Sequence, residues 1–187
     1  MAFHFNPLFY REHLGAKSDH KELIQTFEAT QPEGDGLRKY LQKRAFIDES
    51  TGNIRTYLIR QRGTGELVGY YSIRAGDILL MRDDWTSAIS GVELTNFAVN
   101  GAYRKKHPKI TILGRRIFFD FILPQVRQLH ETLGTSILYI YALDEEPLKK
   151  YYKTLGFSNL PEEDEKFVHS RCKPSYDGTC ICMYMLL

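Results

Sequence analysis

Residues 142–157 read ALDEEPLKKYYKTLGF, and the fold turns on what this stretch joins. Immediately before it, Ser136–Ala142 (SILYIYA) is a short, nearly continuous apolar run, the pattern of a strand covered on both faces. Glu146–Lys153 then predicts a short helix, and Gly156 supplies the residue that most easily takes the left-handed conformation ending one. Beyond it, Pro161, Glu162, Glu163, Asp164 and Glu165 predict a solvated acidic loop, and Cys180–Leu187 a closing strand.

Upstream, Gly114–Leu133 carries Ile117, Phe121, Ile122 and Leu129 as a helical stripe, with Pro124 expected to kink the helix or shift its register. Val92–Asn100 predicts a strand. Thr56–Arg60 and Leu67–Ile73 predict two antiparallel strands, with Gly63, Thr64 and Gly65 providing the permissive backbone of a hairpin. Gly36–Phe46 places Leu37, Tyr40, Leu41 and Ala45 at helical spacing, so an amphipathic helix with a basic outer face, including Arg38, Lys39, Lys43 and Arg44, is expected. The alternation predicts a mixed α/β (α+β) chain.

The 187 residues suit one domain spanning 1–187. Hydrophobic residues make up 43% and charged residues 26%, which excludes the low-hydrophobicity, high-charge signature of disorder. Twenty-five Lys plus Arg against 23 Asp plus Glu leave a net charge of +2, so no strong whole-molecule field favours nucleic acid. No apolar run reaches the roughly 18 residues of a membrane span, and the first residues lack the features of a signal peptide, so a cytoplasmic protein without membrane contact is expected. Three cysteines do not make a secreted disulfide framework. His169, Cys172, Cys180 and Cys182 are a candidate zinc set, but Cys180 and Cys182 alternate in an apolar strand as buried free thiols do, so no metal is expected.

Three segments carry a resemblance: VELTNFAVN from Val92, the helix start at Gly114, and the stretch ending YYKTLGF. In order and spacing they resemble the central and C-terminal parts of the GNAT superfamily of acyl-CoA N-acetyltransferases. The resemblance implies a mostly antiparallel central sheet flanked by helices, with acetyl-CoA as cosubstrate and a primary amine as acceptor. It also implies that backbone amides at the Gly114 helix start hold the coenzyme diphosphate, as helix N-termini do for anions generally. Gly114 matches the last glycine of the family loop. Lys109 stands where the family has Gln or Arg, Ile112 replaces the first glycine, and the segment from Tyr103 to Gly114 is longer than usual. The coenzyme-binding set implied is Phe97, Ala98, Val99, Lys109, Ile112, Leu113, Gly114, Arg115 and Arg116. The nearby Arg104, Lys105, Lys106 and His107 are either added phosphate contacts or a solvated basic loop.

By the same resemblance Tyr152 is the phenol that protonates the leaving sulfur, and Glu93 assists deprotonation of the amine; by itself, Glu93 reads equally as a glutamate paired with a nearby base. A narrower likeness joins LRKYLQKRA, RTYLI, LVGYYSIRAG and ALDEE to the acetylating toxins of bacterial toxin–antitoxin pairs, which implies the α-amino group of aminoacyl-tRNA as an alternative acceptor. A CoA-sensing or RNA-binding module without turnover is the third alternative, and a homodimer stays open. Acceptor contacts are expected from a loop over Gly76–Gly91, containing Asp83, Asp84 and Trp85, and from the acidic segment.

Overall fold

The computed structural model describes residues 7–82, 85–172 and 179–187. They fall into two compact units, residues 1–73 with 96–124 and residues 74–95 with 125–187. A seven-stranded sheet runs in the order β1-β2-β3-β4-β5-β7-β6, with strands numbered along the chain.

In the first unit, β1 (Phe9–His13) pairs antiparallel with β2 (Arg55–Gln61), and β2 with the first half of β3 (Leu67–Arg82). The turn between β2 and β3 uses Gly63 and Gly65 at positive φ, as the sequence predicts. Between β1 and β2 lie α1 (His20–Leu23) and a longer helix made of α2 (Asp35–Lys39), a π-helical turn over Tyr40–Arg44 and α3 (Ala45–Thr51). Its apolar face buries Leu41 and Ala45 against Leu14, Ile24, Phe27, Leu58, Leu67 and Tyr70. Tyr70 anchors that core, donating its hydroxyl to Leu37 O at 2.7 Å while meeting Phe27 edge-on and stacking on Tyr40. β1 itself carries no strong sequence signal, because only Phe9 among its five residues is fully buried.

β4 (Trp85–Val99) leads into α4 (Gly101–Lys106) through a tight elbow at Asn100. The buried Asn100 amide donates to Leu67 O at 2.8 Å, and its Oδ1 accepts from Ala102 N and Glu28 N. This side chain therefore caps the helix and ties two other segments to the end of the strand. α5 (Leu113–Ile117), a π-helical turn over Phe118–Ile122 and α6 (Leu123–Leu133) form the long helix predicted at 114–133.

In the second unit, β5 (Ile137–Leu143) pairs parallel with β4 over Gly91–Ile137, Val92–Leu138 and Glu93–Tyr139. It pairs antiparallel with β7 (Cys180–Leu186) along its whole length. α7 (Glu146–Leu155) ends at Gly156, whose φ of 104° is the left-handed cap expected from the sequence. The two-residue strand β6 (Ser158–Asn159) joins β7, and α8 (Glu162–Cys172) follows. Ile78, Leu80, Ile137, Tyr139, Val168 and Cys182 form this unit's core.

Two expectations are corrected. Gly76–Gly91 is not a loop: residues 76–82 belong to β3 and 85–91 to β4, while Asp83 and Asp84 lie outside the described residues. Pro161–Glu165 is not a loop either, since Glu162–Glu165 form the first turn of α8. Acidic side chains there face the positive end of the helix dipole, so a charge run that looks like solvated chain is a helix start. Among the described residues no helix is long and apolar enough to cross a membrane.

Candidate active site

The first unit carries the candidate coenzyme contacts. Ile112, at the N-terminus of α5, adopts left-handed backbone with φ 55° and ψ 27° and is 61% exposed. It is the one non-glycine residue at positive φ among the described residues, and a β-branched side chain makes that conformation costly, by about 1–3 kcal/mol. The position at which the family loop has glycine thus keeps glycine's conformation. From Ile112 the chain turns at once into helix, with Arg116 N donating to Ile112 O at 3.0 Å, which leaves the N–H groups of the first turn directed out of the helix start. Leu113 is buried and anchors that turn, whereas Gly114 is half-buried. Lys109 and Arg115 are exposed, and Arg115 rests over the Phe119 ring at 5.0 Å. Arg116 is half-buried.

The end of β4 is shaped by backbone proximity. A Cβ at Gly69 would lie 2.6 Å from Ala98 O and 3.1 Å from Ile117 Cδ1, so only glycine lets β3 approach β4 and α5 this closely. Phe97, Ala98 and Val99 are half-buried, and Ala98 also packs on the first unit's core.

The solvated-loop reading is corrected, since Arg104, Lys105 and Lys106 lie on α4. Lys105 pairs with Glu28 at 2.8 Å, Lys106 with Glu66 at 2.5 Å, and the His107 ring with Glu66 at 3.3 Å. Three of these four side chains are thus bonded to acidic residues distant in sequence.

The second unit carries the candidate acid–base groups. Tyr152, on α7, packs edge-on against Tyr151 at 5.5 Å and Phe157 at 5.6 Å. Its backbone carbonyl accepts from Phe157 N at 3.2 Å, so the Gly156 turn fixes the end of the helix that bears it. Burial, with a lesser contribution from Tyr151, pushes the phenol above its ordinary value, and it therefore keeps its proton near neutrality.

Glu93, on β4, is 1% exposed and charge-paired. Arg74 donates to its Oε2 from Nε at 2.8 Å and Nη2 at 2.7 Å, and the Tyr139 hydroxyl donates to the same oxygen at 3.3 Å. A paired glutamate is thus what the fold builds, with charge-assisted hydrogen bonds from Arg74 fixing its carboxylate. Sequence reading passed over Arg74 and Tyr139. Two strand glycines, Gly76 and Gly91, were the available signal, because an interior strand glycine marks close approach.

Cys180 and Cys182 are buried free thiols, and the Cys182 amide donates to both Glu165 carboxylate oxygens at 3.0 Å. The Cys172 side chain lies outside the described residues, and among those described no three metal-ligating side chains cluster.

No family model matches the chain, and no curated protein matches it in sequence. Solved structures do match. AtaTR bound with acetyl-CoA aligns at TM-score 0.65 and 17% identity, over 97% of this chain and 94% of that one. A tyrosine-to-phenylalanine mutant of KacT aligns at TM-score 0.66 and 15% identity, over 96% and 95%. AtaT complexed with acetyl-methionyl-tRNA aligns at TM-score 0.65 and 16% identity, over 95% and 94%. The chain has the fold of AtaT and KacT, the mostly antiparallel sheet flanked by helices that the sequence led us to expect.

Proposed function

We propose that this protein is an N-acetyltransferase that moves an acetyl group from acetyl-CoA to a primary amine by direct attack. The carrying observation is Ile112, a β-branched residue held in left-handed backbone at the helix start, where the chain sustains a strained turn that ordinary packing does not require. A diphosphate hydrogen-bonded to the amides of Leu113, Gly114 and Arg115 accounts for that turn, with Lys109 and Arg116 supplying charge. The fold shared with AtaTR bound with acetyl-CoA supports the same coenzyme.

In this reading the amine nitrogen attacks the thioester carbonyl and backbone amides of Phe97, Ala98 and Val99 hold the developing oxyanion. The carbon–sulfur bond breaks, and Tyr152 gives its proton to the leaving thiolate. Glu93 takes the proton released by the amine. The cost of deprotonation bears on the acceptor. Deprotonating a lysine ammonium at pH 7 costs about 4.6 kcal/mol, whereas an α-amino group costs about 1 kcal/mol. An α-amino acceptor therefore asks less of any base, and aminoacyl-tRNA offers one; AtaT complexed with acetyl-methionyl-tRNA shares the fold.

The test is thiol release from acetyl-CoA against free amines, peptides and charged tRNA. Tyr152→Phe should lower kcat about ten- to a thousandfold with little change in coenzyme binding. Unchanged turnover removes Tyr152 from the chemistry, and no thiol release with any acceptor, despite coenzyme binding, points to the sensing module instead.

A further inference from the structure

The Tyr139 side chain lies across a neighbouring strand, and two glycines make room for it. On β4, a Cβ at Gly91 would sit 3.1 Å from Tyr139 Cδ1 and 2.6 Å from Ile137 Cγ1. On β3, a methyl group at Gly76 would collide with the Tyr139 hydroxyl itself. The ring thus runs from β5 over Gly91 towards Gly76, and its hydroxyl meets Glu93 Oε2 in a buried hydrogen bond. Tyrosine in a core needs a partner for its hydroxyl, but not this one: Gly91 makes room for Ile137 and for the ring, as it would for phenylalanine, whereas Gly76 makes room for the hydroxyl itself.

We infer that Tyr139, seated in the Gly76–Gly91 trough, is a positioning residue that fixes the orientation and acid strength of Glu93. Its consequence for catalysis rests on the acetyltransferase reading, in which Glu93 receives the amine proton. Arg74 of β3 and Tyr139 of β5 hold the carboxylate, and the charged and titratable groups that act on the Tyr139 phenol are Glu93 of β4, Arg74 and Asp77 of β3 and Cys182 of β7. Arg74 and the Tyr139 hydroxyl both donate to the carboxylate and stabilise its charged form. Burial, then the negative charge of Glu93, pushes the Tyr139 phenol far above its ordinary value, so it stays a donor at any pH at which the protein is folded.

The sign of the test follows. Tyr139→Phe removes a donor to the charged form, so Glu93 should titrate about half a unit to one unit higher. Carbon-13 NMR of the glutamate carboxyls reads this directly, with the Glu93 signal identified by its loss in Glu93→Gln. Gly76→Ala should produce the same upward shift by driving the hydroxyl away. In a Tyr139→Phe background it should add nothing, because the added methyl would then face the ring carbon Cζ at 3.4 Å, an ordinary contact. The acid limb of the acetyl-transfer pH profile should move with the titration, while KM for acetyl-CoA is unchanged.

A Glu93 titration in folded Tyr139→Phe that superimposes on the wild-type curve overturns the proposal. Should Gly76→Ala fail to fold, the near-isosteric Tyr139→Phe decides alone. Absence of acetyl transfer in the wild type sinks the enzymatic reading without touching the carboxyl titration, so the two failures are separable.

Discussion

Ile112 sits in a conformation that costs a β-branched residue about 1–3 kcal/mol, and with 61% of its surface exposed it recovers little of that through packing. Ile112→Gly should therefore stabilise the protein by about 1 kcal/mol after the extra chain entropy of glycine is deducted, or about 2–4 °C in Tm at this chain length. Coenzyme affinity should hold or rise, because the amide geometry is retained. A lower Tm in a thermal melt would show that the left-handed turn is not strained. The position also marks a limit of sequence reading. A missing glycine at residue 112 looks like a degenerate loop, since side-chain identity reports what a backbone prefers and not what the surrounding fold imposes on it. Tyr152 and the Gly156 cap were legible because the helix end and its aromatic neighbours are adjacent in the chain. The contacts of Glu93 were not, because Arg74 and Tyr139 reach it from strands 19 and 46 residues away in sequence.

The same distinction between local and long-range signals governs the elements. Helix 36–46 and strands β2, β5 and β7 were plain from periodicity, and α7 from its cap. The stripe predicted on the long helix was wrong in part: Ile117 and Ile122 are buried, but so are Phe118, Leu123 and Val126, while Phe121 and Leu129 are only half-buried. The π-helical turn over Phe118–Ile122 rotates everything after it, and it lies where the Pro124 ring would meet the preceding helical turn. Pro124 announced a register shift without giving its direction. β1 was invisible because its stabilisation is largely polar. Glu12 binds Lys17, the buried His20 of α1 at 3.0 Å and Arg60 of β2 at 2.9 Å. The Gly15 amide donates to His20 Nδ1, so the proton on the ring is at Nε2, facing Glu12. Burial works to raise the Glu12 carboxyl, but hydrogen bonds from Lys17, His20 and Arg60 outweigh it and hold the pKa at about 2. Because the folded value lies below the unfolded one, this stabilisation is complete above about pH 4.5 and is lost as pH falls towards 2. Glu12→Gln should flatten the dependence of denaturant-measured stability across that window by roughly 2 kcal/mol. An unchanged slope would show that Glu12 does not drive it.

Taken over the whole molecule, a net charge of +2 understates how little of the positive charge is available. Arg38 and Lys39 bind Asp35, Arg44 binds Asp48, and Lys105 and Lys106 bind Glu28 and Glu66. All five were candidates for contacts to phosphate or polyanion on sequence alone, and each would have to exchange a carboxylate for a phosphate to serve as one. If charged tRNA is the acceptor and these five cations keep their carboxylates, the salt dependence should be modest for a nucleic-acid enzyme. Three or four phosphate contacts predict a loss of roughly ten- to a hundredfold in tRNA affinity between about 50 and about 200 mM salt. With acetyl-CoA saturating, thiol release with a small amine acceptor carries no such contacts and should be nearly flat over the same range. Measuring kcat/KM for both acceptors across a salt series separates the possibilities. A fall of that size for tRNA alone supports the aminoacyl acceptor, and parallel, nearly flat curves would show that no polyanion is recognised and leave a small amine or a peptide N-terminus as the substrate.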